Sequence, residues 1–342
     1  MMSPPVTTTE HTGRRPEPPP RPPKKQGPQG ALGTVSQIGD RVMSTLATGS
    51  GLLVSAAIGL IALFLLITAV PALLQNTANF FTYTGTWVVT GSEMKFGIPA
   101  QFYATVVVSV IALIIAMPVA LGIAVFVTEY APPRLAKPIT YVVDLLAAVP
   151  SIVYGLWGIL VLGPAMVGIN QWLVDTTGSW LPFFREPQNV ANMSTGGTLL
   201  TAGIVLAVMI LPVITAVTRE VFAKTPRSQR EAALALGATK WEVVRTAVLP
   251  FGFSGYISGS MLGLGRALGE TMALLLIIST VGPINFNLLE SGQTFATVIA
   301  NNASEFDTPA KTGAYISAGL VLFVLTFIVN AAARAVIARK GA

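Results

Sequence analysis

The chain has no cysteine and a single histidine, His11, among 342 residues. Disulfides and thiolate metal sites are therefore excluded, and so is a histidine-based metal centre or proton relay beyond the N-terminal stretch. Charge is scarce too. Asp, Glu, Lys and Arg make up 11% of the residues, where a soluble domain carries about 25%. No GxxxxGK[ST] stretch occurs, so the chain does not hold ATP through a P-loop. No nucleophile and base stand at a spacing that suggests an enzyme. What remains is apolar: hydrophobic residues are 52% and mean hydropathy is +0.67. That composition predicts an all-α polytopic membrane protein.

Residues 1–33 are rich in Pro, Lys and Arg, as in Pro16-Glu-Pro-Pro-Pro20 and Arg21-Pro-Pro-Lys-Lys25. Such a segment cannot bury enough surface to offset its ordering entropy, which predicts a disordered tail. Val35, Ile38, Val42, Met43 and Leu46 then recur at helical spacing and predict an amphipathic surface helix over 34–49. From 50 onward, six apolar runs are long enough to cross about 30 Å of hydrocarbon. They cover 50–74, 100–128, 139–162, 198–218, 252–281 and 313–334. Pro118, Pro150 and Pro212 fall inside three of them. A proline at depth frees a backbone carbonyl that neighbouring helices must satisfy, so these runs predict a packed bundle.

Charge asymmetry sets the expected orientation. With alternate loops assigned to alternate sides, 17 of the 21 Lys and Arg fall on one side, with both termini. Lys95, Arg185 and Lys311 fall on the other, and Arg266 lies within a span. Cytoplasmic termini follow, and the basic pI of about 9.7 reflects topology rather than nucleic acid. The loops 163–197 and 282–312 are then external. Trp172, Trp180 and Leu181-Pro-Phe-Phe184 read as interfacial anchors or as a docking surface, and Thr294–Ala300 as a short interfacial helix. Asp144, near Lys137, reads as a salt-bridge or helix-end residue.

The fifth run holds the unusual chemistry. On one unbroken helix Gly255, Gly259 and Gly263 step along one face. Arg266 and Glu270 continue that face and predict a buried ion pair. Small residues let another backbone approach closely. An ionisable group at this depth normally faces protein or water. Arg266 offers a permanently charged, planar fork suited to an oxyanion, and Glu270 would orient it and keep an anion from lingering. A structural ion pair between subunits is the alternative. Gly259, Gly263, Arg266 and Glu270 are thus the candidate wall of a solute path.

Between the fourth and fifth runs lies Glu231-Ala-Ala233, then Gly237, then Leu249-Pro250. An alanine-rich helix, a glycine turn and a second helix with Trp241, Val244 and Val248 on one face predict an elbow. Pro250 is expected to end that second helix. The spacing resembles the EAA motif of ABC importer permeases, with Ala247 standing where isoleucine is usual. The resemblance implies a type I ABC importer permease fold with six transmembrane helices. It also implies that Glu231, Ala232, Ala233, Gly237, Leu249 and Pro250 form a coupling segment for a separate ATPase.

Leu264-Gly-Arg-Ala-Leu-Gly-Glu-Thr-Met-Ala273, Glu129-Tyr-Ala-Pro132, Pro150-Ser-Ile-Val-Tyr-Gly155 and Leu322-Phe323 with Asn330 are similar to the C-type permease subunit of phosphate-specific ABC importers. That resemblance covers residue 40 to the end. It implies uptake of inorganic phosphate across the bacterial inner membrane. The implied partners are an A-type permease subunit, two ATPase subunits and an external phosphate-binding protein, with ATP and magnesium held by the ATPases and no cofactor here. The residue chemistry alone also fits sulfate, molybdate or a phosphonate. The remaining alternative is an ion-coupled secondary transporter, against which stand the lack of a clear internal repeat and the presence of the elbow.

Overall fold

The computed structural model describes residues 37–90, 93–278 and 286–340. The Pro-rich stretch 1–33 lies outside them. The chain divides into two units, Met1–Ala57 and Ile58–Ala342. In the first unit every side chain from Gly39 to Ala57 is exposed. From Gln37 on, the expected surface helix over 34–49 and the first apolar run are part of one helix, α1 (Gln37–Gln75); residues 34–36 lie outside the described residues.

After α1 comes a small antiparallel hairpin, β1 (Val88–Thr90) with β2 (Glu93–Lys95). Then follow α2 (Pro99–Val125), α3 (Pro133–Ala148), α4 (Ser151–Trp157) and α5 (Gly163–Thr177). The short α6 (Val190–Thr195) leads into α7 (Leu199–Ala223). The elbow is α8 (Arg227–Ala235) and α9 (Lys240–Val243). The chain continues through α10 (Leu249–Leu268), α11 (Met272–Ile277), α12 (Phe295–Asn301) and α13 (Pro309–Lys340). Wider π-helical turns at Phe126–Tyr130, Gly158–Leu162 and Val244–Val248 interrupt this α-helical run.

Among the described residues, six helical stretches are long and apolar enough to cross a membrane: Gly39–Gln75, Pro99–Tyr130, Ser151–Thr177, Ala191–Ala223, Lys240–Leu268 and Pro309–Ala335. The number agrees with the expectation, but two spans move. The third is Ser151–Thr177, not 139–162. Val149, which precedes Pro150, is held extended at ψ 130°, as a following proline ring demands. The apolar residues before it belong to α3, which buries only Val143. Residues 163–177, expected in a loop, continue the span, so Trp172 sits on α5 and only Trp180 lies beyond it. Pro164 comes directly after the π turn at Gly158–Leu162, inside the continuing helix.

The fifth span also differs. Pro250 does not end the elbow's second helix. The π turn at Val244–Val248 passes directly into α10, with Pro250 as the second residue after it. The helix then stops at Leu268 rather than running to 281, with Gly269 as its cap at φ −94° and ψ 2°.

α7 is the hub. On one side α2 presents Ala104, Val108, Ala112, Ala116, Ala120 and Ala124, each no more than 2% exposed. Their four-residue spacing puts them on one face. Their small size lets α7 come close, and Ala202, Leu206 and Ile210 of α7 are fully buried in return. On its other side α7 meets the glycines of α10. A Cβ at Gly255 would lie 2.5 Å from Val221, at Gly259 3.0 Å from Val217, and at Gly263 2.9 Å from Ile214. The α10 backbone therefore packs directly on α7 side chains, the small-residue packing that stabilises helix pairs in lipid.

The hairpin anchors the opposite part of this unit. Asn76 donates to the Phe96 carbonyl at 2.7 Å, and Trp87 stacks on Tyr315 of α13. The short helix expected at 294–300 is present as α12, and Phe295 and Thr297 are fully buried in protein.

Candidate functional site

A cavity of about 650 Å³ opens between α10 and α13. On α10 its wall includes Ser258, Leu262, Gly265 and Arg266; on α13 it includes Asn330 and Arg334. Among the described residues, the wall contains no Asp or Glu. Arg266, half-buried, thus projects into open space inside a membrane-length helix and not into a sealed contact.

The other expected wall residues lie elsewhere. Gly259 and Gly263 are buried against Val217 and Ile214 of α7, so their place is helix packing, one row round from the cavity. Glu270 is not on the Arg266 stripe, because α10 has already ended at Leu268. No ion pair joins Arg266 and Glu270. Instead the Glu270 carboxylate, 8% exposed, accepts a hydrogen bond from the Ala273 N–H at 3.0 Å. It satisfies a free donor at the start of α11, where the helix dipole favours negative charge. The pattern Gly265-x-x-x-Gly269 before the acid was the one available hint of a break.

The elbow forms as expected. Gly237 has φ +83°, a conformation that suits glycine because a Cβ there crowds the carbonyl. The Ala238 N–H bonds to the Ala233 carbonyl at 3.2 Å and the Gly237 N–H to the Leu234 carbonyl at 2.9 Å, closing α8 in a Schellman motif. Thr239 and Glu242 then start α9 with a capping box, the Glu242 carboxylate accepting from the Thr239 N–H at 2.7 Å. Glu231 and Ala232 are exposed and Ala233 is partly so. Leu236 is 90% exposed and Trp241 56%, so Trp241 does not share the buried face. That face is Val243, Val244, Ala247 and Val248. Leu249 packs beside Ala124, Phe222 and Val248, and Pro250 is exposed at the head of α10. These last two belong to the seam between elbow and spans, not to its tip.

One guanidinium ties the elbow down. Arg230 of α8 lies 2.9 Å from the Glu129 carboxylate in the π turn that ends the second span. It also donates to the Phe222 carbonyl at the end of α7, at 2.8 Å. Sequence reasoning missed this link, since Arg230 and Glu129 are 101 positions apart. Arg334 was missed as well: counted as a terminal basic residue, it instead borders the cavity. Its place inside the last apolar run, rather than after it, was the available signal. Asp144 is in a salt bridge, but with the distant Arg219 of α7 at 3.5 Å rather than with a local partner.

Residues 116–341 match the family described as binding-protein-dependent transport system inner membrane component. The phosphate transport system permease protein PstC 2 of Mycobacterium tuberculosis is 54% identical over 303 residues, 88% of this chain and 93% of that one. The PstC of Mesorhizobium japonicum is 38% identical over 300 residues, 88% and 90% of the two chains. Among solved structures, a bacterial ABC transporter involved in the import of the acidic polysaccharide alginate matches with a TM-score of 0.52 at 16% identity, over 89% of this chain and 99% of that chain. The inward-facing MetNI methionine ABC transporter matches with a TM-score of 0.51 at 14% identity, over 71% and 95%. At such identities the two structures speak to the fold alone. The six spans, the glycine-hinged elbow and these matches agree: the chain belongs to the binding-protein-dependent transport system inner membrane component family and has the fold of an ABC transporter permease.

Proposed function

We propose that this chain is the permease subunit of an ATP-driven importer of inorganic phosphate, and that it forms half of the translocation path. One observation carries the reading: Arg266, a permanent cation in a membrane-length helix, faces a cavity whose wall, among the described residues, has no carboxylate. A phosphate ion carries one to two negative charges and tetrahedral oxygens that a guanidinium can engage bidentately. The relatives named for phosphate transport support the same solute.

The second half of the path comes from a related permease subunit. Two ATPase subunits hold the ATP and magnesium, and one of them grips this chain's elbow through Glu231, Ala232 and Ala233, with the exposed Leu236 and Trp241 beside them. An external phosphate-binding protein delivers the solute. Both termini face the cytoplasm, as the distribution of Lys and Arg favours. Glu270 acts by holding the turn after Arg266 in place. ATP-driven closure of the ATPases moves the elbows, and Arg230 carries that movement to the second and fourth spans.

The test is reconstitution of the full complex in liposomes. Labelled phosphate uptake should depend on ATP and on the binding protein, and Arg266→Gln should abolish uptake without loss of assembly. Uptake of labelled sulfate in place of phosphate, or normal phosphate uptake by Arg266→Gln, refutes the reading.

A further inference from the structure

We infer that Arg334 is a second anion contact on the same path, to which Arg266 hands the ion. The inference rests on the proposed phosphate reading. Arg334 and Arg266 border one cavity of about 650 Å³. Among the described residues, neither guanidinium is held by an ion pair or a side-chain hydrogen bond. Two unneutralised cations facing one space repel each other, and an anion between them relieves that repulsion.

The spacing suits a relay. Ser258 and Arg266 are eight residues apart on α10, about 12 Å at 1.5 Å per residue. Asn330 and Arg334 are four apart on α13 and share a face. Consecutive spans run antiparallel, so late residues of α13 meet early residues of α10. Arg334 therefore lies towards the Ser258 end, the cytoplasmic end in the proposed orientation. Asn330 and Ser258 add neutral groups to the wall. Asn330 can donate to phosphate oxygens, and Ser258, whose hydroxyl already donates to the Ser254 carbonyl at 2.8 Å, can accept from a protonated one, which sulfate does not carry at neutral pH. A single fixed cation would trap its ion, whereas two sites of similar strength let it enter and leave.

A purely topological arginine at a span end would behave differently. Arg339 and Lys340 follow it, so the orienting charge survives its removal.

The absence of cysteine makes the test clean. Arg334→Cys places one thiol in this chain, and the assembled complex is assayed in liposomes. Phosphate uptake should fall about tenfold or more, the loss expected for one charge-assisted hydrogen bond. An aminoethyl thiosulfonate reagent, which restores a cation, should recover part of that uptake, and a sulfonatoethyl reagent should not. Phosphate, but not sulfate, should slow labelling of the thiol. If Arg334→Cys transports like the native chain, or both reagents act alike, the inference is overturned. Should Arg334→Cys assemble poorly, Asn330→Cys gives the same protection readout, and labelling of that thiol unaffected by phosphate also overturns it. The two readings fail separately. Native complex that moves no phosphate sinks the importer assignment and this inference with it; native complex that moves phosphate, with Arg266→Gln dead and Arg334→Cys normal, sinks only the second contact.

Discussion

Arg230→Gln should loosen the elbow while leaving the helix bundle intact. The native guanidinium contacts the Glu129 carboxylate at 2.9 Å, with side chains 25% and 12% exposed, and the Phe222 carbonyl at 2.8 Å. A hydrogen bond involving a charged group contributes about 1.5–3 kcal/mol. That range applies to the Phe222 contact; the Glu129 contact is an ion pair whose Oε1 accepts no hydrogen bond, and it contributes up to about 1 kcal/mol. Loss of the two contacts then comes to about 3 kcal/mol of elbow anchoring, or about 150-fold in the population of the open elbow. Amide hydrogen exchange of the purified protein measures this directly. Peptides over 227–243 should lose about two orders of magnitude of protection, while peptides within α2 and α7 stay unchanged. Glu129→Gln added to Arg230→Gln should cost little more, because the first change has already left the carboxylate without its partner. Unchanged exchange in the elbow, or strictly additive effects, would refute the anchoring role.

Gly263→Leu forces a side chain into Ile214, whose Cγ1 would lie 2.9 Å from the new Cβ. Overpacking of this kind costs about 1–3 kcal/mol and should lower the thermal midpoint in detergent, whereas Gly122→Ala, with nothing near its Cβ, should not. Gly237→Val strains a backbone held at φ +83° by about 1–2 kcal/mol and should weaken co-purification of the ATPase subunits; Gly237→Asn should be nearly neutral, since asparagine tolerates that region. Glu270→Ala removes the cap on α11 at about 1 kcal/mol, seen as faster exchange at Ala273, and equal exchange in native and variant chains would count against the cap.

The sequence made the number of spans legible because each apolar run exceeds the thickness of a bilayer core. It hid where the third one starts. Hydropathy stays high on both sides of Pro150, so only the extended backbone at Val149 shows the break. The elbow's glycine hinge was legible, since Gly237 acts through local backbone geometry, but the buried face of its second helix and the place of Pro250 were not. The surroundings of Arg266 were only half legible. Its depth follows from counting residues, but its company does not: Gly269 ends the helix and turns Glu270 to a new task, while Arg334 arrives from another span. Contacts such as Arg230 with Glu129 join distant segments through the tertiary fold, and no local pattern announces them.

The wider turn at Val244–Val248 has a rotational consequence. It closes hydrogen bonds over five residues in place of four, which inserts one extra position into an otherwise regular winding. Were those five residues to wind as ordinary α-helix, with none deleted, everything downstream would swing by about 100° around the axis. The glycine row would leave Val217 and Ile214, and Arg266 would leave the cavity, although no residue near either had been touched. The azimuth of the deep cation is thus set some twenty positions earlier in the chain, where the elbow joins its span.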